Sequence, residues 1–110
     1  MENILVTGGT GFIGSNLAIN LKKLNNNVIV YDNFYRNNYS VKNLKKNNIK
    51  VIKGDIRNFK SVNMAMKGID TCFHLAAING TKNFYNLPKD VLDVGIRGQL
   101  NVLDWVEKTH

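Results

Sequence analysis

Short apolar runs alternate along this chain with longer amphipathic stretches. Ile4-Leu5-Val6 is rich in branched residues and ends at glycines, as a buried parallel strand should. From Phe12 to Leu24 the period changes to that of a helix, with Ile13, Leu17, Leu21 and Leu24 on one face. Asn25-Asn26-Asn27 reads as a turn, and Val28 to Tyr31 as a second strand ending at Asp32. The stretch from Asn33 to Asn48 is polar, with at most a short helix near Val41 to Lys45. A third strand is expected over Lys50 to Lys53, closed by Gly54-Asp55. Asn58 is placed to cap a helix through Lys67, where Gly68 ends it. Asp70 to Leu75 is the fourth strand, followed by an irregular segment to Pro88 and a long helix from Lys89 to Lys108. That helix contains Gly95 and Gly98, each costing about 1 kcal/mol of helix propensity relative to alanine, which points to a close approach by another backbone. Strands each followed by a crossover predict an α/β fold: a parallel sheet of about four strands with helices on both faces.

Composition narrows the class. A chain of 110 residues is one domain at most, and 44% hydrophobic with 21% charged residues is ordinary for a globular protein. No apolar run approaches the ~20 residues of a membrane span. Met1-Glu2-Asn3 leads straight into the first strand, so no secretory signal is expected. Cys72 is the single cysteine and allows no internal disulfide, so a reducing, cytoplasmic location is the expectation. The net charge of +7 raises the question of an anionic partner. Its one loose cluster, Lys42, Lys45, Lys46, Lys50 and Lys53, is mixed with Asn and apolar residues and lacks aromatics for stacking bases. It reads as a solvated basic face, and nucleic acid is not the expected partner.

The most informative segment is Thr7-Gly8-Gly9-Thr10-Gly11-Phe12-Ile13-Gly14. It follows a strand and opens a helix, the context that a dinucleotide fingerprint requires. Glycines are needed there for a sharp turn, for backbone approach to a pyrophosphate, and for close helix–strand packing. The pyrophosphate would then lie on free N–H groups at the helix N-terminus. Two registers fit, Gly9-Gly11-Gly14 and Gly8-Gly11-Gly14. Asp32, about 18 residues beyond Gly14, ends the second strand where a carboxylate can accept both adenosine ribose hydroxyls. A carboxylate there repels a 2′-phosphate, so NAD is expected over NADP, although Arg36 is close enough to accommodate that phosphate. A P-loop is excluded, because Gly14 is followed by Ser15-Asn16 and no lysine.

These residues resemble the extended short-chain dehydrogenase/reductase family, the NAD-dependent epimerases and dehydratases of nucleotide sugars. The resemblance runs over essentially the whole chain. Thr7 to Gly14 with Ser15-Asn16-Leu17 is similar to the family's opening motif, which favours the Gly8-Gly11-Gly14 register. Tyr31-Asp32-Asn33-Phe34 resembles its ribose-binding strand end, and Gly54-Asp55-Ile56-Arg57 its third-strand motif. His74-Leu75-Ala76-Ala77 resembles its fourth-strand motif, and Pro88 and Gly98 to Leu103 fall at its spacing on the next helix. The resemblance implies a Rossmann-type sheet, NAD as cofactor, and a nucleotide-sugar substrate. The cofactor residues it implies are Gly8, Gly11, Phe12, Ile13, Gly14, Asp32, Asn33, Asp55, Ile56, Leu75, Ala76 and Ala77. Asp55 and the backbone after it are expected to hold the adenine amino group and ring nitrogen. The small alanines let the ribose and pyrophosphate lie close. His74, Cys72 and Phe73 are expected in the core, and Trp105 in packing or an interface, none with direct chemistry.

Two features depart from the family pattern. Gly95 stands where an asparagine commonly organises a proton relay. The catalytic Tyr-x-x-x-Lys pair, in which tyrosine is general acid or base and lysine lowers its pKa, is expected beyond His110, with the substrate domain. The one literal match, Tyr85-Asn86-Leu87-Pro88-Lys89, is interrupted by proline and comes too early. The expectation is therefore a truncated NAD-binding front portion of such an enzyme. Its fourth strand would be an open edge, and its last helix would expose apolar surface suited to a homodimer. A stand-alone NAD-binding or sensing module, and a Rossmann-like binder of anionic partners, are the alternatives.

Overall fold

A computed structural model describes residues 1–34, 39–78 and 81–109. Four strands are present among them: β1 (Asn3–Thr7), β2 (Asn27–Asp32), β3 (Lys50–Lys53) and β4 (Thr71–His74). They alternate with α1 (Phe12–Lys23), α2 (Val41–Lys46), α3 (Phe59–Ala65), α4 (Thr81–Asn86) and α5 (Pro88–Thr109). The sheet is parallel throughout, in the order β3-β2-β1-β4. The chain winds outward from β1 through β2 to β3, then crosses back to place β4 on the other side of β1. That reversal opens a crevice beyond the carboxyl ends of β1 and β4, the usual ligand position in an open α/β sheet.

Side chains alternate across the sheet and build a core on each face. Ile4, Val6, Val28 and Val30 point to one side, where Ala18 of α1 and Leu44 of α2 cover them. Leu5 and Tyr31 point to the other side, against Val62 of α3 and Val94, Val102 and Trp105 of α5. Each fully buried aliphatic contributes about 1.5 to 3 kcal/mol. β4 and β3 are the two edges of this sheet, as expected for the fourth strand. Among the described residues no helix is long and apolar enough to cross a membrane.

Element types match the sequence pattern with four corrections. α1 does not bury the Ile13-Leu17-Leu21-Leu24 stripe: Ile13 and Leu24 are both 73% exposed. Its buried residues are Gly14, Ser15 and Ala18, because close contact with the sheet selects small side chains over the apolar repeat. The segment expected to be irregular before Pro88 contains α4, whose Thr81–Asn86 turns have no buried residue to reveal them. α3 stops at Ala65 instead of continuing to Lys67, and Gly68 takes the left-handed turn after it at φ +74°. Gly98 is explained by a side chain, not by a backbone: a Cβ there would lie 2.8 Å from Cγ2 of Ile56, whereas Gly95 faces open space. Asn58 caps α3 as expected, accepting from the Ser61 N–H at 3.1 Å. The asparagine turns also have a cause, since Asn25 and Asn48 follow α1 and α2 at φ +67° and +60°.

Candidate functional site

The crevice beyond β1 and β4 is a groove of about 440 Å³. All twelve residues implied by the family resemblance line it, joined by Thr10, Tyr31, Gly54, Ile78 and Val94. Thr10, Tyr31 and Gly54 stand in the quoted motifs without being counted among the cofactor residues, and sequence reasoning missed Ile78 and Val94. For Thr10 the signal was its place in the glycine loop, whereas Val94 reaches the groove only through the packing of α5.

The glycine loop supplies one wall. Gly8 has φ +70°, and a Cβ on it would lie 2.9 Å from the backbone nitrogen of Ala76. A Cβ on Gly14 would collide with the Gly8 carbonyl oxygen, and one on Gly9 with Val30 at 2.6 Å. Gly11 differs from these three: its nearest neighbour would be the Gly8 oxygen at 3.5 Å, leaving open groove beside it. The helix register is thus packed at Gly8 and Gly14 and open at Gly11, while Gly9 is a packing requirement of β2. Gly11 is the N-cap of α1 and offers no side-chain cap; the first helical bond shown is from the Ser15 N–H to the Gly11 carbonyl at 2.9 Å. The N–H groups of Phe12, Ile13 and Gly14 are left as donors at the positive end of the helix, a position that favours an anion.

Asp32 forms the next part of the wall. Its Oδ2 accepts from the Thr10 N–H at 3.0 Å and its Oδ1 from the Phe34 N–H at 2.7 Å. Those bonds orient the carboxylate between the glycine loop and the end of β2, with lone pairs remaining on both oxygens for hydroxyl donors. Arg36, the residue that bears on a 2′-phosphate, lies outside the described residues.

The turn after β3 is held from several directions. The Tyr31 hydroxyl donates to the Asp55 carbonyl at 2.9 Å and lies 2.7 Å from the Ser61 hydroxyl. Burial pushes the Tyr31 phenol above its ordinary pKa, so it remains a donor. Asn101 of α5 donates from Nδ2 to the Ile56 carbonyl at 2.9 Å. Arg57 grips the Asp55 carboxylate through Nη2 at 2.7 Å and Nε at 3.0 Å, and its Nη1 reaches Asp90 at 3.4 Å and Asp93 at 3.5 Å. That guanidinium holds the Asp55 carboxyl below the usual carboxylate range. Both carbonyls of the turn are therefore occupied from behind. What it presents is an acceptor, the Asp55 carboxylate, beside a donor, the Ile56 N–H.

The fourth-strand residues close the floor. The backbone of Leu75 and Ala76 passes next to Gly8, an approach that the missing Cβ of Gly8 permits, and Leu75, Ala76 and Ala77 all line the groove. Burial pushes the Cys72 thiol up to about 12 and His74 below its ordinary value. Trp105 is buried in the core, the packing role of the two expected for it. Tyr85 and Lys89 fall on separate helices, α4 and α5, with the break at Leu87-Pro88, and Tyr85 is 75% exposed. The structure does not bring them into the groove.

Comparison with known proteins agrees with this geometry. The model of the NAD dependent epimerase/dehydratase family matches residues 4–110. The chain is 35% identical to a UDP-N-acetyl-alpha-D-glucosaminuronate decarboxylase of Bacillus cytotoxicus, over 93% of this chain and 32% of that protein. An epimerase of Methanothermobacter thermautotrophicus superposes with a TM-score of 0.83 at 36% identity, covering 94% of this chain and 31% of that one. A UDP-glucose 4-epimerase of Thermus thermophilus, solved in complex with NAD, gives 0.83 at 27% identity, over 96% and 34%. The chain thus spans about a third of the length of these relatives.

Proposed function

The chain belongs to the NAD-dependent epimerase/dehydratase family, and from that premise we propose that it is the NAD-binding portion of an enzyme that remodels nucleotide sugars. The observation that carries this reading is the convergence of an uncapped helix N-terminus, an acidic strand end and a donor–acceptor turn on one groove. The pyrophosphate fits the N–H groups of Phe12, Ile13 and Gly14, in the space that Gly11 leaves open. Asp32 accepts the ribose hydroxyls. The Asp55 carboxylate accepts from the adenine amino group while the Ile56 N–H donates to the neighbouring ring nitrogen. When bound, the nicotinamide supplies transient hydride transfer to and from the sugar. Residues of this chain bind and orient; the tyrosine and lysine for proton transfer lie outside its groove. Leu92, Ile96, Leu100 and Leu103 form an exposed apolar stripe along α5, which we assign to self-association.

Fluorescence titration with NADH and NADPH tests the reading. NADH is expected to bind more tightly, since the Asp32 carboxylate repels a 2′-phosphate. Binding of neither would overturn the cofactor reading, and tighter NADPH binding would overturn the preference. Sedimentation of the same samples checks association, a monomer at every concentration counting against the α5 assignment.

A further inference from the structure

His74 has no place in the binding scheme above, yet its hydrogen bond restricts its chemistry. The Thr7 hydroxyl at the end of β1 lies 2.7 Å from Nδ1 of His74. It also accepts from the backbone N–H of Ala76 at 3.1 Å and from that of Leu75 at 3.0 Å, which Leu75 shares with the Thr7 carbonyl at 3.1 Å. A hydroxyl has one proton and two lone pairs. The two N–H groups fill the lone pairs, so the proton goes to His74 and Nδ1 must be a bare acceptor. The ring proton is then on Nε2.

We infer that His74 is a positioning residue for the groove: as the neutral Nε2–H tautomer it orients the Thr7 hydroxyl, which holds the Leu75–Ala76 turn against Gly8. Protonation undoes this arrangement. An imidazolium presents an N–H at both nitrogens, and the Nδ1–H would face a hydroxyl whose lone pairs are already taken. The hydroxyl must then give up the Ala76 N–H or its share of the Leu75 N–H, which keeps the Thr7 carbonyl. That turn has little latitude, since the Ala76 nitrogen lies only 2.9 Å from where a Cβ on Gly8 would be. Its release therefore alters the floor of the groove.

Among the described residues, the elements packed on this face carry Cys72 on the same strand, Tyr31 on β2, and Asp90 and Asp93 with Arg57 and Arg97 about α5. The thiol and phenol are pushed upward by burial and stay neutral near pH 7. Asp90 and Asp93 are engaged by Arg57, and Asp93 also by Arg97. Burial alone lowers the His74 pKa. Its neutral form thus contributes fully above the unfolded histidine value of about 6.5, and the contribution is lost as pH falls through the lower folded value.

The binding arm of the test rests on the dinucleotide reading, and the spectroscopic arm does not. Histidine long-range ¹H–¹⁵N spectra of the labelled chain at about pH 8 should show His74 protonated at Nε2 and bare at Nδ1. The opposite tautomer overturns the inference. NADH affinity of the unaltered chain should fall below the folded pKa, by up to about ten-fold per pH unit, the limit for one proton. His74→Asn retains an oxygen that accepts from Thr7 but cannot titrate, so its profile should be flat. An equal slope in His74→Asn overturns the inference. If NADH binds at no pH, the dinucleotide reading fails instead. The tautomer and the melting temperature then decide, the latter falling more in the unaltered chain than in His74→Asn between about pH 6.5 and the carboxylate range, below which both fall. Thr7→Ser, which keeps the hydroxyl, should preserve the tautomer, whereas Thr7→Val should release it.

Discussion

The two walls of the groove are built in opposite ways. The glycine loop works by leaving side chains out: Gly8 and Gly14 make room for the backbone, and Gly11 leaves space for a ligand. The turn after β3 works by bringing side chains in. Tyr31 from β2 and Asn101 from α5 occupy its carbonyls, while Arg57 fixes its carboxylate and is itself steadied by Asp90 and Asp93. The loop offers a generic anion seat of N–H donors. The turn offers one donor and one acceptor side by side, a pattern that would discriminate between bases in the proposed reading. In that reading, selectivity for the base would rest on the turn, and affinity for phosphate on the loop.

Substitutions can separate the two walls. Gly11→Val should have the largest effect on binding, removing measurable NADH affinity because the side chain enters the pyrophosphate's space. The nearest atom to its Cβ is 3.5 Å away and Gly11 has φ −73°, so the fold should tolerate it. A melting-temperature change within about 4 °C, roughly 1 kcal/mol, would bear that out. Unchanged NADH affinity in this variant would refute the loop assignment.

Asn101→Leu reaches the other wall from a distance. It leaves the Ile56 carbonyl without its partner at a cost of about 1 to 3 kcal/mol, a fall in melting temperature on the order of 10 °C. Its sharper signature is selectivity: affinity for NADH should fall more than affinity for its hypoxanthine analogue, because the displaced turn no longer presents the adenine pattern. Equal losses for both would mean that α5 merely supports the fold.

Arg57→Leu should have the smallest effect. Arg57 lowers the Asp55 pKa, so ionised Asp55 contributes stability that is present above about 3.9 and lost as pH falls through the lower folded value. Removing the guanidinium should move that acid loss to higher pH in thermal melts. Both side chains are partly exposed, 31% and 39%, so the change near neutral pH should stay within about 1 kcal/mol. An acid profile identical to that of the unaltered chain would show that the pair does not hold the carboxylate.

Much of this arrangement is readable from local pattern. Branched apolar runs ending at glycine or aspartate mark the strands, since a strand buried on both faces must be apolar throughout. The spacing of Gly8, Gly11 and Gly14 from β1, and of Asp32 at the end of β2, marks the groove, because those demands are met within a few residues of each position. Where local pattern misled about α1, a distant partner was responsible. The apolar repeat of α1 suggested Ile13 and Leu24 as the buried face, but the sheet accepts Gly14 and Ala18 because the helix must lie close. α4 buries nothing, so no periodicity announces it.

By itself the sequence determined the order and type of the main elements, the glycine loop that leads into an uncapped helix N-terminus, and the acidic end of β2. Each depends on backbone geometry and side-chain size over a short span, which residue identity specifies directly. Only the tertiary structure decided that Asn101 and Tyr31 hold one turn, that Gly98 makes room for Ile56, and that Thr7 assigns the proton on His74. Those pairs are separated by between 24 and 67 positions. Nothing in local spacing relates such residues; the parallel crossovers bring them together, and hydrogen-bond valence then determines what each can do.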